Sequence, residues 1–138
     1  MRVVLDTNVF ISAMLIQASR PAELIARWRE GKFSVLTAAP QLEELTRVTR
    51  YPKIRARLSP SLAGRLINEM RDLAIMVNRL PLVDASPNPY DNYLFSIASG
   101  GFADYLVMGD KRDLLALAKH DRTAILSVSD FLDRIDRK

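Results

Sequence analysis

No cysteine occurs in the sequence and histidine occurs once, and these two scarcities exclude whole classes of chemistry. Without cysteine there is no disulfide, no thiolate metal site and no thiol nucleophile, a composition that fits a reducing compartment. A single histidine leaves no His pair for a metal. Glycine is sparse at five residues, and there is no internal repeat, no low-complexity tract and no interdomain linker. Long apolar runs are missing as well. The stretch Val3 to Ile16 is interrupted by Asp6, Thr7 and Asn8, whereas a membrane-spanning helix needs ~20 predominantly apolar residues and a signal peptide an unbroken apolar region. The expectation is a soluble cytoplasmic protein with no membrane association.

What is present is ordinary globular material: 138 residues, 49% hydrophobic and 26% charged. That length predicts one domain over residues 1–138, able to bury roughly 68–70% of its unfolded surface. Basic residues number 20 against 16 acidic, for a net charge of +4. Fifteen of the 20 are arginine, the side chain suited to bidentate phosphate contact. A mild positive excess says little about a partner until the acids are located.

Along the chain, short β-branched runs alternate with helical patterns. Arg2 to Leu5 reads as a strand buried on both faces, followed by a helix over Val9 to Ile16. A second helix starts near Ser19-Arg20-Pro21 and ends at Gly31, with Leu24, Ile25 and Trp28 as its apolar stripe. Phe33 to Thr37 predicts a second strand and Pro40 to Arg50 a helix. Ser59-Pro60 opens a long helix striped by Leu62, Leu66, Met70, Leu73 and Val77. Leu80 to Val83 reads as a short strand, and Tyr90 to Ser99 as a helix ended by Gly100-Gly101 in the left-handed conformation. Tyr105 to Met108 is a further strand, then come a short helix marked by Leu114, Leu115 and Leu117, a last strand over Thr123 to Leu126, and a final helix over Asp130 to Asp136. This alternation predicts an α/β fold, a three-layer α/β/α domain with a mainly parallel central sheet.

In such sheets ligands bind beyond the carboxyl ends of the strands. Two strands run into an acid there, Asp6 and Asp110. Asp91 falls in the first turn of its helix, where the helix dipole favours a carboxylate, and Glu44 lies inside Leu42-Glu43-Glu44-Leu45. Asp104, Asp113 and Asp84 also fall near this crevice, so spacing alone does not choose Asp110 over Asp113, and it leaves Asp6 or Asn8 as simple helix caps. Two carboxylates ~4 Å apart repel by roughly 4 kcal/mol at an effective dielectric of 20. A cluster of them therefore calls for protons, cationic side chains or a metal. With only oxygen donors, the metals that suit are Mg²⁺ and Mn²⁺.

Three segments carry a resemblance to a known family. Val3-Val4-Leu5-Asp6-Thr7-Asn8-Val9-Phe10-Ile11-Ser12 opens the chain. Glu44-Leu45 with Arg50-Tyr51-Pro52-Lys53 follows, and Asp91-Asn92-Tyr93-Leu94 leads through Ala103-Asp104-Tyr105-Leu106-Val107 to Gly109-Asp110. Together with the closing Ser129-Asp130-Phe131-Leu132, this ordered set resembles a PIN domain, and specifically the toxin component of VapC-type toxin–antitoxin pairs. The resemblance implies a PIN-like α/β/α fold and a Mg²⁺- or Mn²⁺-dependent endoribonuclease. It implies that Asp6, Glu44, Asp91 and Asp110 form the acidic quartet that holds metal and drives hydrolysis of an RNA phosphodiester. Asn8 matches the position that orients the first acid, and Asp113 an auxiliary ligand. It further implies a homodimer and a small antitoxin protein as partner.

The sequence departs from the family pattern at Met108, where a threonine is usual, and at Asn88, where an aspartate is usual. Both changes spare the quartet. A catalytically weakened PIN domain acting as an RNA- or protein-binding module is the alternative reading. Arg47, Arg50 and Lys53 lie in the densest basic stretch, with Tyr51 among them, and are the candidate RNA contacts. Arg65, Arg71 and Arg79 read as the polar side of the long helix, and His120 as structural. Setting the quartet aside leaves 20 basic residues against 12 acidic ones, a small acidic hole in an arginine-rich body.

Overall fold

The computed structural model describes residues 1–84, 89–109 and 119–137, the side chains of residues 89–91 excepted. The predicted helix around Leu114 to Leu117 lies outside the described residues. Six strands form one sheet: β1 (Arg2–Leu5), β2 (Ser34–Thr37), β3 (Ile75–Met76), β4 (Tyr105–Met108), β5 (Lys119–His120) and β6 (Thr123–Ser127). Their order is β3-β2-β1-β4-β6-β5, and every pairing is parallel except β5 with β6. The described helices are α1 (Thr7–Leu15), α2 (Arg20–Arg29), α3 (Ala39–Val48), α4 (Pro52–Arg55), α5 (Pro60–Leu73), α6 (Pro89–Gly101) and α7 (Val128–Asp136). This is the three-layer α/β/α fold that the alternation predicts. No single helix among the described residues is long and apolar enough to cross a membrane.

The central strand shows why the sheet is sandwiched. Successive side chains of a strand point to opposite faces, so Val3 and Leu5 enter one core while Val4 enters the other. The first core also takes Phe10, Leu24, Trp28, Leu45, Met70 and Phe131, side chains of α1, α2, α3, α5 and α7. The second is built chiefly on α6, through Leu94, Phe95, Ile97 and Ala98. The three residues Val3, Val4 and Leu5 are fully buried, as expected of a parallel strand covered on both sides. At the amino end of the sheet, the Arg2 N–H donates to Asp104 Oδ2 at 2.8 Å and Arg122 lies 3.1 Å from Oδ1. The Arg2 hydrogen bond first, and then Arg122, hold this carboxyl below its usual range.

Four local expectations change. Leu80 to Val83 forms no strand; the edge strand is Ile75–Met76, paired to Leu36 and Thr37, and Val77 prolongs it by donating to the Thr37 carbonyl at 2.8 Å. Pro81, with no N–H, suits a strand poorly. Val77 thus lies beyond α5, whose buried stripe is Ala63, Leu66, Ile67 and Met70, while Leu62 and Leu73 face out. Helix α6 runs through Gly100 and Gly101 rather than ending before them. Those glycines answer a packing demand: a Cβ on Gly101 would sit 2.7 Å from Leu36 Cδ1. The left-handed residue that closes α6 is Phe102, at φ 56°. Ala103 N–H donates back to the Ala98 carbonyl at 2.9 Å, the six-to-one bond of a Schellman closure. Finally, β5 is a strand the sequence pattern does not announce, turned into β6 by Asp121 at φ 52°.

Candidate active site

Strand order reverses between β1 and β4: from β1 the chain winds outward through β2 and β3, while β4 and β6 lie on its other side. Such a switch point opens a crevice at the carboxyl ends of the two strands. Asp6 is the first residue beyond β1 and is fully buried. Its backbone N–H donates to the Val107 carbonyl at 2.9 Å, fastening it to β4. Its side chain accepts from the Asn8 N–H at a long 3.4 Å, so it caps α1 as well as facing the crevice. Gly109, just past β4, brings its backbone alongside: a Cβ there would lie 3.8 Å from Asp6 Oδ2.

Glu44 reaches the same region from α3. It is only 5% exposed, and it accepts a hydrogen bond from the Tyr93 hydroxyl at 2.8 Å. That hydroxyl also lies 2.8 Å from Thr7 Oγ1. Tyr93 has one proton and gives it to the carboxylate, so Thr7 donates and Tyr93 accepts. The relay Thr7–Tyr93–Glu44 joins α1, α6 and α3, and α6 packs on the opposite sheet face from the other two. A second set of bonds fixes the angle of α3. Thr37 Oγ1 donates to Gln41 Oε1 at 2.6 Å, and Gln41 Nε2 donates to the Leu5 carbonyl at 2.7 Å. Gln41 stands three residues before Glu44, on a neighbouring part of the helix surface. The end of β1, one residue before Asp6, and the start of α3 are therefore clamped together. The amino ends of α1 and α6 add their partial positive charge here, which favours carboxylates.

Of the predicted site residues, the structure brings Asp6 and Glu44 into this crevice and places Asp91 in the first turn of α6. Asp110 and Asp113 lie outside the described residues, as does Asn88. Asn8 holds Asp6 through its backbone N–H; its own side chain is exposed. Met108 is buried in the α6-side core. Among the described residues no three of His, Cys, Asp and Glu form a group that could hold a metal. The two acids that the crevice does show are oxygen donors of the kind Mg²⁺ and Mn²⁺ take, so the donor set fits such an ion.

Beside the crevice, Arg47 on the next flank of α3 and Arg50 in the turn after it line a groove of about 790 Å³ with Tyr51, Glu43, Arg71 and Met76. Arg71 is exposed on α5, as its place on the polar side predicts, and lines this groove, whereas Arg79 lies beyond the end of that helix. Lys53 falls outside the groove lining, in α4. His120 tilts against Phe95 at 4.6 Å between ring centres, away from these groups, in the structural role expected of it.

The model of the PIN domain family matches residues 2–112. The chain belongs to the PIN domain family. PIN domains are generally nucleases that use divalent metal ions. Neither the curated proteins nor the solved structures returned a match. Residues 2–112 of this PIN domain take in β1 to β4 and the whole crevice described above.

Three contributors to the crevice escape a reading of the sequence: Thr7, Gln41 and Tyr93. Gln41 carries a signal, being a polar residue one turn from Glu44 on the inward side of its helix. Tyr93 stands two places after Asp91, but its contact with Glu44 spans 49 residues and depends on α6 packing across the sheet.

Proposed function

We propose that this PIN domain, spanning residues 1–138, is a Mg²⁺- or Mn²⁺-dependent endoribonuclease, the toxin of a type II toxin–antitoxin pair. On this reading Asp6, Glu44, Asp91 and Asp110 hold the metal, Asn8 and Asp113 support them, and Arg47, Arg50 and Lys53 contact RNA. A small antitoxin, a homodimeric state and a cytoplasmic location complete the proposal. The observation that carries the nuclease reading is the burial of Asp6 and Glu44 together at the β1/β4 switch point. Burying carboxylates is costly unless they are paired, hydrogen-bonded or metal-coordinated, and here α1 and β4 bond Asp6 while Tyr93 of α6 bonds Glu44. A divalent cation bound there would supply Lewis-acid polarisation of the phosphodiester and neutralise developing charge. The chain's own part is to fix the carboxylates: Tyr93 orients Glu44, and the α1 amino end orients Asp6.

The test is cleavage of a mixed RNA pool by purified protein, with Mg²⁺ or with EDTA, beside Asp6→Asn. Cleavage should vanish with EDTA, and Asp6→Asn should cost more than the ~10–100-fold typical of an outer partner of a metal ligand. Equal cleavage in all conditions overturns the metal mechanism. The toxin role is tested by expression in cells: growth arrest that a small protein encoded beside the gene relieves would support it, and no growth arrest on expression would overturn it.

A further inference from the structure

We infer that the groove flanked by α3, α5 and β3 is the track for single-stranded RNA leading to the crevice, with Arg47, Arg50 and Arg71 on its phosphates and Tyr51 under one base. This rests on the nuclease reading and names the surface by which substrate arrives. The first observation is a division among the arginines. Arg20, Arg27, Arg29 and Arg122 each lie within 3.1 Å of a carboxylate, on Asp133, Asp136, Glu69 and Asp104. Arg47, Arg50 and Arg71 make no ion pair with any described residue, and they come together from α3, the turn after it and α5 onto one concavity of about 790 Å³. Glu43 also lines it, so the groove holds three cations against one anion. A cluster of like charges left uncompensated in a hollow is a site for an extended polyanion.

The second observation is the aromatic. Tyr51 is 48% exposed and lines the same groove. A base needs a flat apolar face, and only an unpaired strand offers its bases freely for stacking. The third is continuity. Arg47 follows Glu44 by three residues, so the two stand side by side on the surface of α3. In the other direction Arg50 is shared with a smaller hollow of about 200 Å³ that Arg55 also lines. The cations thus run as a path from Arg55 through Arg50 to Arg47, ending beside the carboxylate. An acidic polypeptide would satisfy the arginines but leaves Tyr51 unused, which favours RNA.

The experiment measures binding of a fluorescent single-stranded oligoribonucleotide of mixed sequence to the full chain in EDTA, across a range of salt. Arg47→Gln, Arg50→Gln and Arg71→Gln should each weaken binding and flatten the log–log salt slope by ~0.7, the value per phosphate on a single strand. Tyr51→Ala should weaken binding ~5–150-fold while Tyr51→Phe binds as the parent does. Arg27→Gln, on the paired face, should change neither quantity. Unchanged affinity and slope in all three groove arginine variants overturn the inference, as does equal competition by duplex RNA or polyglutamate. Metal-dependent cleavage by the parent with normal binding by the groove variants removes the track and keeps the nuclease. Loss of binding in those variants with no cleavage by the parent removes the nuclease and keeps the groove as an RNA site.

Discussion

On one flank of α3, Gln41 and Glu44 are buried and bonded at 2.7–2.8 Å to the end of β1 and to Tyr93. On the next, Arg47, with Arg50 in the turn just past the helix, stands in solvent with no described ion partner. One helix and the turn that ends it carry both. The buried flank has its geometry set before any ligand arrives, which suits metal ligands that must converge within tenths of an ångström. The open flank keeps its side-chain freedom, which suits a phosphate backbone whose register varies. A charge interaction across ~4 Å is worth roughly 1 kcal/mol in water and about four times that at an effective dielectric of 20. On the proposed function the buried acids would act through strength at one position, and the exposed arginines through number.

Removing the charge of the buried flank gives the largest effect. Glu44→Gln should cut RNA cleavage by more than ~100-fold while leaving the salt dependence of binding in EDTA unchanged; if binding falls as steeply as cleavage, the two flanks are not separable. Tyr93→Phe comes next. It deletes one hydroxyl that joins Thr7 to Glu44, and the activity or the metal affinity read by titration should fall ~10–100-fold. Gln41→Leu strands the Leu5 carbonyl and the Thr37 hydroxyl. Each orphaned group costs about 1–3 kcal/mol, to be read as a lowered urea midpoint. On the open flank, Glu43→Gln should tighten RNA by less than about fivefold, the worth of one exposed charge. Smallest of all, Arg27→Gln on the paired face should shift stability by no more than ~1 kcal/mol and leave RNA binding alone.

Much of this contrast is legible in the sequence, for a physical reason. Val3-Val4-Leu5 and Leu106-Val107-Met108 are apolar without alternation because both sheet faces are covered, so the strands and the acid that ends β1 stand out. Glu44 is a candidate from its place in Leu42-Glu43-Glu44-Leu45, but only the resemblance singles it out from Glu43. Tyr93 and Arg71 are illegible because their roles arise from how α6 and α5 dock, not from neighbours in the chain. Gly100 and Gly101 mislead in the opposite direction. They read as a stop signal, whereas their small size serves the contact of α6 with Leu36 and Val77, and Phe102 takes the left-handed position instead.

The register of β1 also governs when the crevice can exist during synthesis. Leu5 pairs with Val107 in β4, and the Asp6 N–H is held by the Val107 carbonyl, so the two walls are separated by about a hundred residues of chain. At translation rates of ~5–20 residues per second, the amino-terminal strand waits on the order of 5–20 s for the partner that completes its far side. An incomplete nascent chain carries Asp6 and Glu44 but no closed crevice between them. The crevice wall that β4 supplies is therefore absent until Val107 has been made, whatever β1 and α3 have already formed.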